Sequence, residues 1–227
     1  MTIEQIISWL ESMANPESVK GMARFGISGA PAYGVSLPEL RQLDKEIGKD
    51  HALAQHLWSA GSRETRILAS MVADPVAMTE ALMEEWVKDF TDREVCDQTC
   101  SNLFERTPFA YAKAVEWSKR DEEFVKRAGF VLMARLAVGK KGATEEALND
   151  LLPHVINEAG DNRPMVWKAV NWALRQIGKR SLMLNTEAIE MAVLIQALDT
   201  PSARWIASDA LRELKNSAVQ ERLKAKR

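Results

Sequence analysis

Nowhere does this chain run to about 18 consecutive apolar residues, so nothing in it reads as a membrane span. Its opening, MTIEQIISWLESM, has no basic stretch followed by an apolar core, which argues against a secretory signal. Cysteine is scarce. Cys96 and Cys100 are four residues apart, on one helix face but poorly placed to bridge each other. That usage suits a reducing cytoplasm, and it is not the CxxC spacing of a redox or zinc site. The three histidines, His51, His56 and His154, have no metal-ligand spacing. Neither GxxxxGK[ST] nor GxGxxG occurs. These absences predict a cytoplasmic protein with no metal, no cofactor and no membrane partner.

Strand signals are missing as well: there is no convincing alternation and no Asn-Gly hairpin. What remains is helix. Ser36-Leu37-Pro38-Glu39 fits a capping box with proline in the first turn. Asp74-Pro75, Thr107-Pro108 and Thr200-Pro201 each read as an N-cap followed by proline. Asp121-Glu122-Glu123 puts negative charge where a helix N-terminus favours it. Gly61, Gly139, Gly142 and Gly160 read as stops. The pattern predicts about twelve to fourteen helices of roughly 10–17 residues. Short connections between them point to an all-α fold, an α-solenoid of HEAT or armadillo kind. No exact repeat recurs, so the units are degenerate. The glycine-rich stretch 26–36 reads as a link within one domain spanning 1–227. Trp9, Trp58, Trp86, Trp117 and Trp167 lie in helical apolar stripes and are expected in the core.

The 227 residues are 46% hydrophobic and 27% charged, as in soluble globular proteins. The charge is uneven. Residues 1–100 hold 9 basic and 16 acidic side chains, a net of -7, whereas residues 163–227 hold 12 and 6, a net of +6. A basic C-terminal third fits an anionic partner such as nucleic acid. It equally fits a solvated helical surface ending in the basic tail LKAKR.

The stretch DREVCDQTCSNLF, residues 92–104, is the most informative. Val95, Cys96, Cys100, Leu103 and Phe104 form a helical apolar seam. Asp97 sits beside it, and a carboxylate near a core is costly unless compensated. Arg127, in EEFVKRAGFVLMARLA, and Trp172, in VWKAVNWALRQIGKR, lie on two further largely apolar helices. Asp97 and Arg127 could be a buried ion pair, and Trp172 a core residue.

Taken in order, GMARFGISGAPAYGVSLPELRQLDKEIG, LWSAGSRETRILA, CDQTCSNLF, FVKRAGFVLMARLA, AVNWALRQIGKRS and TPSARWIASDALREL resemble the AlkD-type DNA alkylation repair proteins across nearly the whole chain. The resemblance implies a HEAT-like solenoid whose concave face binds duplex DNA. It implies a glycosylase releasing cationic alkylated purines, such as 7-methylguanine and 3-methyladenine, as a monomer. Asp97 then matches the family's catalytic aspartate, Arg127 its DNA-contacting arginine, and Trp172 one of its two active-site tryptophans.

The chemistry suits those residue types. An N-alkylated purine is a good leaving group, and its departure builds oxocarbenium character on the deoxyribose. A carboxylate stabilises that charge and orients a water. An aromatic face favours the cationic base, and an arginine holds a phosphate. One position departs. The family's first tryptophan lies four residues before the aspartate, where this chain has Arg93, followed by Glu94. Trp86 is eleven residues before Asp97, a doubtful substitute.

Backbone contacts are expected from Arg41, Lys45, Arg175, Lys179, Arg180, Arg204 and Arg212, foremost Lys179, Arg180 and Arg204. Three readings stand: an alkylpurine glycosylase, a HEAT protein that binds distorted or branched DNA without excision, and a protein-interaction solenoid.

Overall fold

The computed structural model describes residues 1–23, 27, 30–139 and 143–225, and of Ala23 the backbone only. The predicted stop at Gly142, part of the 26–36 link and the last two residues of the LKAKR tail lie outside them. The described residues contain fifteen α-helices and no strand. The helices run from 5 to 16 residues, several shorter than expected. The chain divides into two compact units, Met1–Thr107 and Pro108–Arg227.

The first unit holds α1 (Ile3–Ser12), α2 (Pro16–Ala23), α3 (Leu37–Ile47), α4 (His51–Ser59), α5 (Arg63–Val72), α6 (Glu80–Lys88) and α7 (Arg93–Asn102), then a 3-10 turn at Phe104–Arg106. α5 packs against α3 on one side and α7 on the other, with α4 antiparallel behind it. The α5 helix is buried along almost its whole length, from Arg63 to Val72. Trp58 of α4 stacks on Trp86 of α6 with centroids 4.0 Å apart and planes 5° from parallel. The Trp58 indole N–H donates to Asp89 Oδ2 at 2.8 Å. Trp86 is therefore a core residue and offers no face to a ligand.

The second unit holds α8 (Ala110–Trp117), α9 (Glu123–Val138), α10 (Glu145–Asn149), α11 (Leu152–Glu158), α12 (Pro164–Gly178), α13 (Leu182–Gln196), α14 (Pro201–Leu214) and α15 (Ser217–Lys224). α12 lies between α9 and α14; α8 packs on α9, and α13 on α12 and α14. The closest approach falls at Gly129 of α9. A Cβ there would stand 2.4 Å from the Ser118 backbone nitrogen. Only glycine lets α9 come so near the end of α8.

The capping signals divide. Glu39 accepts from the Ser36 N–H and hydroxyl at 2.9 and 2.7 Å, and Thr200 caps α14 by accepting the Ala203 N–H at 3.2 Å. Asp74-Pro75 does not start a helix. Asp74 Oδ1 accepts the Val76 N–H at 2.9 Å, a local turn, and α6 begins only after Thr79, which accepts the Leu82 N–H at 3.1 Å. Thr107 is no cap either: its hydroxyl donates back to the Phe104 carbonyl at 2.9 Å, and α8 starts at Ala110. Trp58, Trp86 and Trp117 are buried, but Trp9 and Trp167 are half-exposed. Trp167 lies against Trp205, which is 44% exposed, instead of entering the core.

Candidate nucleic-acid interface

Asp92 starts α7. Its Oδ1 accepts the Glu94 and Val95 N–H groups at 2.8 and 3.0 Å. Burial pushes its carboxyl above the usual aspartate range, against those two hydrogen bonds. From this start the helix buries Val95, Cys96, Thr99 and Cys100, and Leu103 and Phe104 close the seam, all at 0% exposure. Asp97 stands beside that seam and is half-buried. Arg93 is the first residue of α7, one turn before Asp97, and also half-buried.

Glu94, the residue after Arg93, is engaged elsewhere. It accepts from Arg63 Nε at 2.8 Å. Arg63, 3% exposed, also donates to Glu64 Oε1 at 2.8 Å and to the Val35 carbonyl at 3.1 Å. Glu64, fully buried, takes the Tyr33 and Gly34 N–H groups at 2.9 Å each. Every charge in this set has a partner, as burial demands. The set ties residues 33–35 and the first turn of α7 to α5, and so orients the helix that carries Arg93 and Asp97.

In the second unit Arg127 is 5% exposed and donates to the Met165 carbonyl at 2.6 Å, in the first turn of α12. It is a buried cation holding two helices. Trp172 is half-buried on α12, to one side of the buried row of Val166, Ala169, Val170, Ala173 and Ile177. Lys168, Arg175, Gln176 and Lys179 share its face at spacings of three and four. With its oxygen turned toward them, the Gln176 amide accepts from Trp172 Nε1 at 3.1 Å and Lys179 Nζ at 3.3 Å. The indole edge is thereby held, and part of the ring stays accessible. The second unit thus presents an aromatic face among cations, and the first, taken by itself, a carboxylate beside an apolar seam.

Most of the nominated cations of this unit are paired with carboxylates. Arg175 bonds Glu213 and lies 3.4 Å from Asp209; Lys179 meets Glu213 at 2.5 Å. Arg204 pairs with Asp199 at 2.6 Å, and Arg212 with Asp209. Glu213 is half-buried. Burial acts to raise its pKa, but the Lys179 hydrogen bond and the Arg175 and Lys179 charges prevail and hold it below the usual glutamate range. Lys179 and Arg180 line a cavity of about 240 Å³ with Gln176 and Arg222. In the first unit Arg41 and Lys45 share a cavity of about 320 Å³ with Lys49 and Arg106. Sequence reading missed Lys49, Arg106 and Arg222. Lys49 continues the spacing of four from Arg41 and Lys45, a signal the sequence carried, just past the helix end at Gly48. Arg106 and Arg222 lie in a 3-10 turn and the last helix, where no periodicity pairs them with the others. Among the described residues, no group of three or more His, Cys, Asp or Glu could hold a metal ion.

Residues 6–218 match the family described as DNA alkylation repair enzyme. No curated protein matches. A solved structure with the same fold comes from a group described as related to the HEAT-like repeat DNA glycosylases with affinity for branched DNA structures. It is 20% identical, covers 93% of this chain and 95% of its own length, and superposes with a TM-score of 0.77. A designed armadillo repeat protein in complex with the peptide (KR)4, 16% identical over 82% of this chain and 89% of its own, reaches a TM-score of only 0.38. That match carries no argument. The all-helical fold is thus the HEAT-like repeat fold, and the chain belongs to the DNA alkylation repair enzyme family.

Proposed function

We propose that this chain is a DNA glycosylase that releases cationic alkylated purines, 7-methylguanine and 3-methyladenine, from duplex DNA. The observation that carries the reading is Trp172. It is only half-buried, on a face of α12 shared with Lys168, Arg175 and Lys179, where a core tryptophan would be fully buried. An aromatic face with cations around it suits an electron-poor base on a phosphate backbone. Asp97 supplies the carboxylate. It is half-buried, with part of its surface open to substrate, and it stabilises positive charge building on the deoxyribose while orienting a water. The family resemblance assigns Arg127 to DNA contact; here it is 5% exposed and donates to the Met165 carbonyl, which fixes the first turn of α12, the helix that carries Trp172.

The test is single-turnover release of 7-methylguanine from duplex DNA by the wild-type protein and by Asp97→Asn. Release slowed by about 10²–10³-fold in the variant supports the reading. Binding without release by either protein overturns it.

A second reading, DNA binding without excision, is favoured by Arg93. It puts a cation where a flat aromatic wall is expected, and Glu94, committed to Arg63, does not neutralise it. The relative of the same fold is described as having affinity for branched DNA. Tighter binding to a four-way junction than to duplex, with no base released, is the result this reading requires.

A further inference from the structure

Arg41 and Lys45 stand one turn apart on α3, and Lys49 follows Gly48, where that helix ends. Arg106 closes the 3-10 turn after α7. Their side chains, with Asp44 and Asn102, line one cavity of about 320 Å³. That is the lower end of the range for ligand clefts, about 300–1,000 Å³. Such clefts are usually apolar, and this one is not: four cations face a single carboxylate. Among the described residues Arg41, Lys45 and Arg106 form no ion pair, whereas Arg175, Lys179, Arg204 and Arg212 of the second unit are all engaged by carboxylates.

Lys49 has a separate task. Its ammonium donates to the Met71 carbonyl and, at 3.0 Å, to the Ala73 carbonyl, at the end of α5. A helix C-terminus carries partial negative charge, so Lys49 offsets at the end of α5 a charge that would repel an anion here. Burial pushes the Lys49 ammonium down from its usual range and the Asp44 carboxyl up. Both shifts are set first by burial; the Arg106 charge adds to the lowering of Lys49 and opposes the raising of Asp44, and an anion here would stabilise the charged lysine. Two guanidinium forks suit the oxygens of a phosphate.

We propose that this cavity binds a phosphate group, supplied at work by one phosphodiester of the DNA backbone. The source of the phosphate rests on the DNA-binding reading above; the site itself does not.

The experiment uses the full chain and the double variant Arg41→Gln/Arg106→Gln. Both side chains are exposed, so the fold is kept, and thermal melting checks it. Duplex binding is followed against salt, and melting is followed with inorganic phosphate against chloride at equal ionic strength. The expected result is a log–log salt slope smaller by about 2, near 0.9 for each lost contact, and a phosphate-induced rise in melting temperature that the variant loses. An unchanged slope with a lost phosphate effect keeps the site and assigns it to free phosphate. An unchanged slope with no phosphate effect in the wild type overturns the proposal. Failure of the wild type to bind DNA would sink the functional reading above, while the phosphate melt would still decide the cavity.

Discussion

Glu94 accepts a hydrogen bond from Arg63 Nε at 2.8 Å, so the first turn of α7 is pinned to the start of α5 by an ion pair, one side of which is buried. Arg63 is also the counter-charge of the fully buried Glu64. Replacing it with an apolar side chain leaves that carboxylate with only two backbone donors. Arg63→Met is expected to destabilise the protein by about 3–5 kcal/mol, read from urea unfolding. A loss below about 1 kcal/mol would mean that the set is not a structural tie.

Arg93 permits a gain-of-function test. Arg93→Trp places an aromatic one turn before Asp97. If the protein is a glycosylase held back by a missing wall, single-turnover release of 7-methylguanine should rise by about 2- to 30-fold, the worth of one cation–π contact. Duplex affinity should change little. A slower variant would show that the guanidinium itself takes part in binding the lesion strand.

Glu213 holds Arg175 and Lys179, and a cation so held must leave its partner to meet a phosphate. Glu213→Gln removes the carboxylate they share, and the log–log salt slope for duplex binding should steepen by up to about 2. A flat response would place the two cations away from DNA. The same variant has a pH signature. The Glu213 pKa is lower in the folded protein than in the unfolded chain, so its stabilisation is full above the ordinary glutamate range and is lost as pH falls through the lowered value. Melting temperatures of wild type and variant should therefore converge on acidification to pH 3, and differ most near neutrality.

Gly129→Ala should cost about 1–3 kcal/mol by overpacking, because the neighbour is backbone and cannot swing aside. Gly21→Ala on α2 has nothing within 4 Å of the new methyl. It is expected to be stabilising by about 0.4–1 kcal/mol through the unfolded chain. Chemical unfolding of the two variants side by side tests the close approach of α8 and α9. Equal effects would argue against it.

Legibility followed the range of the forces involved. The seam of α7 could be read directly, because helical periodicity and burial are one pattern. So could the cap at Thr200, a contact three residues long. Asp74-Pro75 and Thr107-Pro108 carry the same local signal, yet neither starts a helix. A threonine five residues after Asp74 caps α6 instead, and the Thr107 hydroxyl turns back to the preceding 3-10 turn. The dipeptide alone cannot weigh those competitors. Trp167 reads as core by spacing but is drawn to a half-exposed partner, Trp205, that no periodicity connects to it.

By itself, then, the order of apolar and capping residues determined that this chain is all-helical, and its ordered motifs determined its family, because both are written in neighbours a few residues apart. Tertiary structure decided which charges are spent and which are open. Glu94 is taken by Arg63 across 31 positions and Arg175 by Glu213 across 38, while Arg41, Lys45 and Arg106 come to line one cavity without an ion pair among the described residues. A charge has no periodicity. Its partner is whatever folding brings within a few ångströms, and only the packed helices determine that.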